Sequence, residues 1–238
     1  MSSLEDQKTT LIQGLEVLSI QVEDQQINQL ISYGKLLYKT NAKLNLTRIP
    51  QERFVVDHVL DSLAGAVNFI QTDDRSLIDL GTGAGLPGIP INIIWPKLKI
   101  TLIDSRSKKV GFLEKVIREL KLQNIEAVHA RAEDLAHQDN YREKYDLACS
   151  RALADMKVFL ELAVGFVRVG GKIAALKSDG VQAEISQSQK FADDLGCGVL
   201  KTYEYSVPLQ TKKYQIISTE KLKVTAQKFP RQIKKMKN

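Results

Sequence analysis

The segment Asp79-Leu80-Gly81-Thr82-Gly83-Ala84-Gly85-Leu86-Pro87-Gly88 constrains the fold of this chain more than any other. It follows a short apolar run, Ser76–Leu80, and opens a second apolar stretch. Glycines at alternate positions let the backbone turn sharply and let a ligand approach without Cβ clashes. The helix that such a loop opens offers unpaired N–H groups at its start. A glycine turn between a strand and a helix belongs to a sheet of parallel strands. The rest of the chain is therefore read for that pattern.

The pattern is present from Ser76 onward. Short apolar runs at Ser76–Leu80, Ile100–Asp104, Ile125–His129, Tyr145–Ser150 and Lys172–Leu176 read as strands. Helical stretches separate them: Val110–Leu122, Asp134–Gln138, Met156–Val167 and Val181–Leu195. Such alternation argues for a parallel sheet covered on both faces. The last two strands, about Val199–Val207 and Lys212–Thr219, are joined by too few residues for a crossover and are expected to pair as an antiparallel hairpin. Residues 4–70 show apolar positions at helical spacing, such as Leu11, Leu15, Leu18 and Ile27, Leu30, Ile31. A third helical stretch, Arg53–Phe69, begins after Pro50. The expected organisation is a helical region over 1–70 packed on the core, a sheet domain over 71–220, and a basic tail over 221–238. At 238 residues with 43% apolar content, the chain has core material for this and is no disordered or low-complexity chain.

Two registers of the loop compete. Gly83, Gly85 and Gly88 satisfy GxGxxG, the dinucleotide fingerprint. Gly81, Gly83 and Gly85 satisfy GxGxG with Asp79 just ahead, the pattern of S-adenosylmethionine (SAM)-dependent methyltransferases. The first glycine of the dinucleotide fold sits at the strand end, which here is Gly81, and the third fingerprint position is then Leu86. Asp79 also favours the second register, because a carboxylate attracts the sulfonium and ammonium groups of SAM and repels a pyrophosphate. The expected fold class is accordingly α/β, similar to the Rossmann-like SAM-dependent methyltransferases, with a seven-stranded, mostly parallel sheet, a C-terminal antiparallel hairpin and N-terminal helices.

Further candidates lie at strand ends. Asp104 is placed to bind ribose hydroxyls, or to cap the next helix. Arg131-Ala132-Glu133-Asp134 follows the third strand, where an adenine ring would lie. Arg151 and Lys177 end the fourth and fifth strands on the ligand-binding edge of the sheet. Lys108 and Lys109 begin a helix, an unfavourable place for cations and so a candidate phosphate contact. His58, His129 and His137 are scattered, and neither a metal trio nor a catalytic triad is expected. Cys149 and Cys197 have no CxxC spacing, which suits a reducing cytoplasm. The polar N-terminus is no signal peptide, and no apolar run spans a bilayer. The net charge is +6, and the seven cations of 221–238 exceed that surplus by themselves. A segment of this kind either holds a polyanion or serves as a solubilising terminus.

The chain resembles the RsmG family, also called glucose-inhibited division protein B (GidB). The matching strings run in order: Asn45-Leu46-Thr47, Val56–Leu63 (VDHVLDSL), Asp79–Pro90 (DLGTGAGLPGIP), Leu102–Ser105 with Lys108, Phe112 and Leu113, then Arg131-Ala132-Glu133, Ser150-Arg151-Ala152, Leu176-Lys177 and Phe229-Pro230-Arg231. The resemblance implies SAM-dependent methylation at N7 of a guanosine in 16S rRNA. The partner would be that RNA, or the small ribosomal subunit or its precursor, in the cytoplasm, with neither membrane nor metal. It implies donor contacts at Gly81, Leu86, Ala132, Glu133 and Arg151. The residues themselves add Asp79, Gly83, Gly85 and Asp104 to that set. Arg151 and Lys177 are expected to orient the base or a phosphate, with no general base. Lys108, Lys109, Arg231, Lys234 and Lys235 are expected to contact RNA. The family usually has Lys-Arg at Lys108-Lys109 and Lys-Gly at Lys177-Ser178; lysine keeps the charge and gives up bidentate phosphate binding. The competing functions are a nicotinamide-dependent oxidoreductase and a non-catalytic RNA-binding protein.

Overall fold

The computed structural model describes residues 4–151, 155–178 and 182–236. Ala152 of the Ser-Arg-Ala string and the side chains of Ser178 and Lys235 lie outside the described residues. Seven strands form one sheet: β1 Ser76–Leu80, β2 Lys99–Asp104, β3 Ile125–His129, β4 Tyr145–Arg151, β5 Val167–Ser178, β6 Lys201–Ser206 and β7 Lys213–Glu220. Their order is β3-β2-β1-β4-β5-β7-β6. The first five are parallel, and β7 runs antiparallel between β5 and β6. Chain order reverses between β1 and β4, which is where open sheets of this kind bind ligands, beyond the carboxyl ends of the strands.

The strands are apolar on both faces because both are covered. Leu77, Leu102, Leu147 and Leu176 face one core with helices α1 (Leu4–Val17), α2 (Asp24–Leu44), α3 (Asp61–Ala66), α4 (Gly88–Ile94) and α5 (Ser107–Glu119). Their strand neighbours Ile78, Ile103, Ala148 and Ala175 face the other, under α7 (Met156–Val164) and α8 (Gln182–Asp194). The short α6 (Ala132–Leu135) and α9 (Ile233–Met236) pack on that second side. The N-terminal helices thus share one core with the sheet: Leu11, Leu30 and Leu60 belong to the same apolar cluster as Leu77 and Leu102.

Two departures from the periodicity reading change the type of an element. The helix expected over Met156–Val167 ends at Val164, because Val167 is drawn into β5 opposite Tyr145. The helix expected over Arg53–Phe69 is broken into a 3-10 turn at Gln51–Arg53, a π-helical turn at Val55–Leu60, and α3. The wide π turn leaves the Asp57 carbonyl to accept from Arg151 Nη1 at 3.1 Å. Such turns accompany functional positions in many helices.

Candidate methyltransferase active site

The glycine loop is bound to its surroundings at several points. Thr82 N–H donates to the Ile103 carbonyl at 3.0 Å, fastening the loop to β2. Gly81, Gly83 and Gly85 hold φ of 67°, 62° and 95°, a region that favours glycine. Their side-chain space differs. A Cβ on Gly83 would meet nothing closer than Lys109 Nζ at 3.5 Å, so this backbone is open to a ligand. A Cβ on Gly85 would fall 2.3 Å from Ile89 Cδ1 and 2.9 Å from Leu113, so Gly85 serves close packing. Leu86 is buried in the same core. Tyr33, on α2, adds a contact that no sequence motif signals: its hydroxyl donates to the Ala84 carbonyl at 2.8 Å.

Asp79, expected from its position to face a cationic ligand, lies beneath the loop instead. Its side chain is fully buried. Its Oδ2 accepts from Thr82 Oγ1 at 2.6 Å and from Gly88 N–H at 3.0 Å. Its Oδ1 has no partner among the described residues. Burial pushes its pKa up to about 6, against the pull of these hydrogen bonds and of Arg151. Asp79 therefore ties the end of β1 to the start of α4.

Asp104 is the carboxylate that borders the open glycine. Its Oδ2 accepts from Gly83 N–H at 3.1 Å and stands 3.6 Å from Lys109 Nζ. Its Oδ1 accepts from Arg106 N–H at 2.9 Å. The cap of α5 is Arg106, so Asp104 organises the approach to that helix without capping it. The Ala130 amide donates to the Asp104 carbonyl at 3.3 Å, which brings Ala132 and Glu133, at the start of α6, beside the same edge. Glu133 is buried, with Arg131 at 3.8 Å.

Arg151 is the hub on the other side of the loop. Its Nη1 donates to Asp61 Oδ2 at 2.9 Å, and its Nη2 reaches His58 Nδ1 at 2.8 Å. Asp61 Oδ1 accepts from Tyr205 of β6 at 2.9 Å, and Tyr205 stacks on Tyr214. Burial raises the Asp61 pKa, opposed by Arg151 and Tyr205. Burial and the Arg151 charge lower His58 to about 3. The imidazole is therefore neutral at physiological pH. Sequence reasoning found Arg151 and missed this network, although His58 and Asp61 both fall within family-like strings.

The remaining candidates divide. Lys177 donates to Glu184 Oε1 at 2.8 Å, and Glu184 also accepts the Met156 amide, so this lysine joins β5 to the starts of α7 and α8. Lys108 and Lys109 line a recess of about 470 Å³ with Lys43, Asn45, Arg106 and His129. The C-terminal segment is not a loose tail. Lys221 is fully buried, bonded to Glu143 and to the carbonyls of Val164 and Val167. Arg231 clasps the buried Glu161. Lys234 is exposed on α9.

Among the described residues no helix is long and apolar enough to cross a membrane, and no group of three or more His, Cys, Asp or Glu is placed to hold a metal. The fold is similar to those of a protein described as a predicted O-methyltransferase from Agrobacterium tumefaciens and of a protein from Corynebacterium glutamicum. The first has TM-score 0.51 and 18% identity, over 68% of this chain and 79% of that one. The second has TM-score 0.52 and 15% identity, over 88% and 95%. At such identity these likenesses concern the fold. Closer relatives are the ribosomal RNA small subunit methyltransferase G of Alkaliphilus metalliredigens, 39% identical over 95% of each chain, and that of Alkaliphilus oremlandii, 40% identical over 94% of each. The protein of the same name from Acetivibrio thermocellus is 38% identical over 93% of this chain and 91% of its own. The family model for rRNA small subunit methyltransferase G matches residues 26–215. With a glycine loop, a strand-end carboxylate and an arginine hub at the switch point of a seven-stranded sheet, and with relatives matched along nearly its whole length, this chain belongs to the GidB family of rRNA small subunit methyltransferases G.

Proposed function

We propose that the protein transfers a methyl group from SAM to N7 of a guanosine in 16S rRNA, acting on the small ribosomal subunit or its precursor in the cytoplasm. The observation that carries this reading is the pairing of the open Gly83 backbone with the Asp104 carboxylate, 3.1 Å apart, across the loop from Arg151. The residues present fit a nucleoside donor. Gly83 leaves room for a ligand against the backbone, and Asp104 stands beside it to accept ribose hydroxyls. Gly81, Ala132, Glu133 and Arg151 would complete the cradle, while Asp79, Gly85 and Leu86 hold its shape from behind. When bound, SAM supplies an electrophilic methyl group on a sulfonium.

Guanine N7 carries a lone pair at neutral pH, so this chemistry calls for positioning and electrostatics, without a base. Arg151 is fixed by three partners and holds the base side of the site. Lys177 braces the adjoining strand end through Glu184. Lys43, Arg106, Lys108 and Lys109 offer phosphate contacts, which position a substrate and do not select its sequence. Lys234, exposed on α9, offers a further phosphate contact. The test is mapping of N7-methylguanosine in small-subunit rRNA from cells with and without the protein, with purified protein and SAM restoring it. Absence of any difference at N7 would sink the reading.

A further inference from the structure

We infer that Thr47 donates a hydrogen bond to O6 of the target guanine and so separates guanine from adenine, a role that rests on the guanine-N7 reading above.

The argument begins at Arg151, whose guanidinium has donors only. Its Nη2 lies 2.8 Å from His58 Nδ1, so Nδ1 accepts and the imidazole hydrogen sits on Nε2. That Nε2 lies 2.8 Å from Thr47 Oγ1 and donates to it. The same oxygen accepts the Ile49 amide at 3.0 Å. A hydroxyl has two acceptor lone pairs and one hydrogen to give. Both lone pairs are thus occupied, and among the described residues no acceptor takes the hydrogen of Thr47. The residue is also pinned, since Asn41 accepts its N–H at 2.9 Å and donates to its carbonyl at 3.0 Å. An ordinary threonine turns its hydroxyl to suit donor or acceptor. The chain from Arg151 through His58 makes this one a donor alone.

Its place suits that role. Thr47 is half-buried, one side chain removed from Arg151, and two residues after Asn45, which lines the cation-rich recess with Lys43, Arg106 and Lys108. A phosphate held in that recess would lie against Asn45, two residues from Thr47. Guanine presents N7 and O6 as adjacent acceptors on one edge, whereas adenine presents N7 beside an amino donor. Donation to O6 leaves the N7 lone pair free. An adenine amino group would meet a hydroxyl with no lone pair to offer, an unpaired contact that rejects it.

The test uses the full-length protein, SAM and reconstituted small subunits carrying either guanosine or 6-thioguanosine at the mapped position. Sulfur is a weak acceptor. Thr47→Val is expected to lower kcat/KM about tenfold, from the loss of one such bond, with SAM Kd held within about threefold. Thr47→Ser is expected to keep most of the activity. The 6-thio substrate is expected to slow the unmodified protein about as much as the valine variant is slowed, and to slow that variant little further. This last comparison needs no change in fold. Equal slowing of both proteins by the 6-thio substrate would overturn the inference, as would full activity of Thr47→Val or a matching loss of SAM affinity. If the unmodified protein makes no N7-methylguanosine at all, the functional reading fails and the inference with it.

Discussion

Arg231 closes a two-point pair on Glu161, with Nε and Nη2 at 2.8 and 2.7 Å from the two carboxylate oxygens, inside a segment that the charge count presents as a loose basic tail. Glu161 is only 1% exposed, so the pair satisfies a charge that water cannot reach. Arg142 adds to the clasp by donating to the carbonyls of Thr225 and Phe229 at 3.0 Å each. The segment is therefore structural through Arg231 and into α9, whose Ile233 and Met236 pack on the second core, and the RNA contact proposed for it falls to the lysines from Lys234 onward.

Truncation separates the two parts. Deleting residues 221–238 strips Glu161 of Arg231, and an uncompensated buried charge costs on the order of 3 kcal/mol. That variant is expected to unfold at distinctly lower urea. Deleting only 232–238 leaves the pair in place and removes Lys234, Lys235 and Lys237. It should cost less stability than the longer deletion, losing the packing of Ile233 and Met236, keep SAM affinity, weaken RNA binding, and flatten the salt dependence by about 0.7 in slope for each phosphate that the shortened chain no longer neutralises. Unchanged RNA affinity would assign the grip to the recess beside α5 alone.

His58 predicts a loss of stability in acid. The unfolded residue takes up a proton near pH 6.5, while the folded one does so only near 3, held neutral by burial and by Arg151. Between these values the unfolded state binds more protons, so the stability due to His58 is complete above 6.5 and falls as pH drops. The slope is up to about 1.4 kcal/mol per pH unit. Urea titrations from pH 4.5 to 7.5 should show the difference between the unmodified protein and His58→Asn shrinking toward acid. A constant difference would contradict the neutral buried imidazole.

Asp79 predicts the opposite trend. Its folded pKa of about 6 lies above the ordinary 3.8, because burial disfavours its charge. The folded state binds the extra proton, so this contribution to stability is present in acid and is lost as pH rises through 6. Asp79→Asn keeps an oxygen for Gly88 and Thr82 and removes the charge. Its stability relative to the unmodified protein should rise between pH 4 and 7.5, by up to about 3 kcal/mol. A flat difference would show that the carboxylate titrates normally.

The two loop glycines should fail in different ways. Gly85→Ala places a Cβ within 2.3 Å of Ile89 and 2.9 Å of Leu113. At positive φ in a packed core it should cost about 2–4 kcal/mol. Gly83→Ala carries only the backbone strain of about 1 kcal/mol, and it narrows the open side of the loop. Thermal melts should single out Gly85→Ala, and calorimetric SAM titration should single out Gly83→Ala by an affinity loss of about tenfold. Equal SAM binding by Gly83→Ala and the unmodified protein would remove Gly83 from the cradle.

Local chemistry was legible in the residues. Apolar runs placed β1 and β3 at their observed limits, Ser76–Leu80 and Ile125–His129. The short link between the last two strands implied their antiparallel pairing, and the glycine loop sits between β1 and α4 as its pattern demands. Strand ends carried Asp104, Arg151 and Lys177 to one edge because parallel strands align their carboxyl ends.

What a pattern of neighbours cannot encode is which distant groups share a desolvated space. His58 and Arg151 stand 93 positions apart, and Tyr205 and Asp61 stand 144 apart. Their hydrogen bonds exist because the π-helical turn lies against the end of β4, while the β6–β7 hairpin, paired on β5, brings Tyr205 against α3. Asp79 shows the same limit. Its place before the glycines marked it as important, yet only the closing of α4 over β1 decided that its carboxylate would hold the loop from beneath. The alternation of strands and helices, and the glycine loop between β1 and α4, were readable from the residues alone, since they follow from side-chain period and backbone freedom. Tertiary structure alone decided which charges are buried, which are paired and which face the substrate, because those depend on the solvent each group loses when remote segments meet.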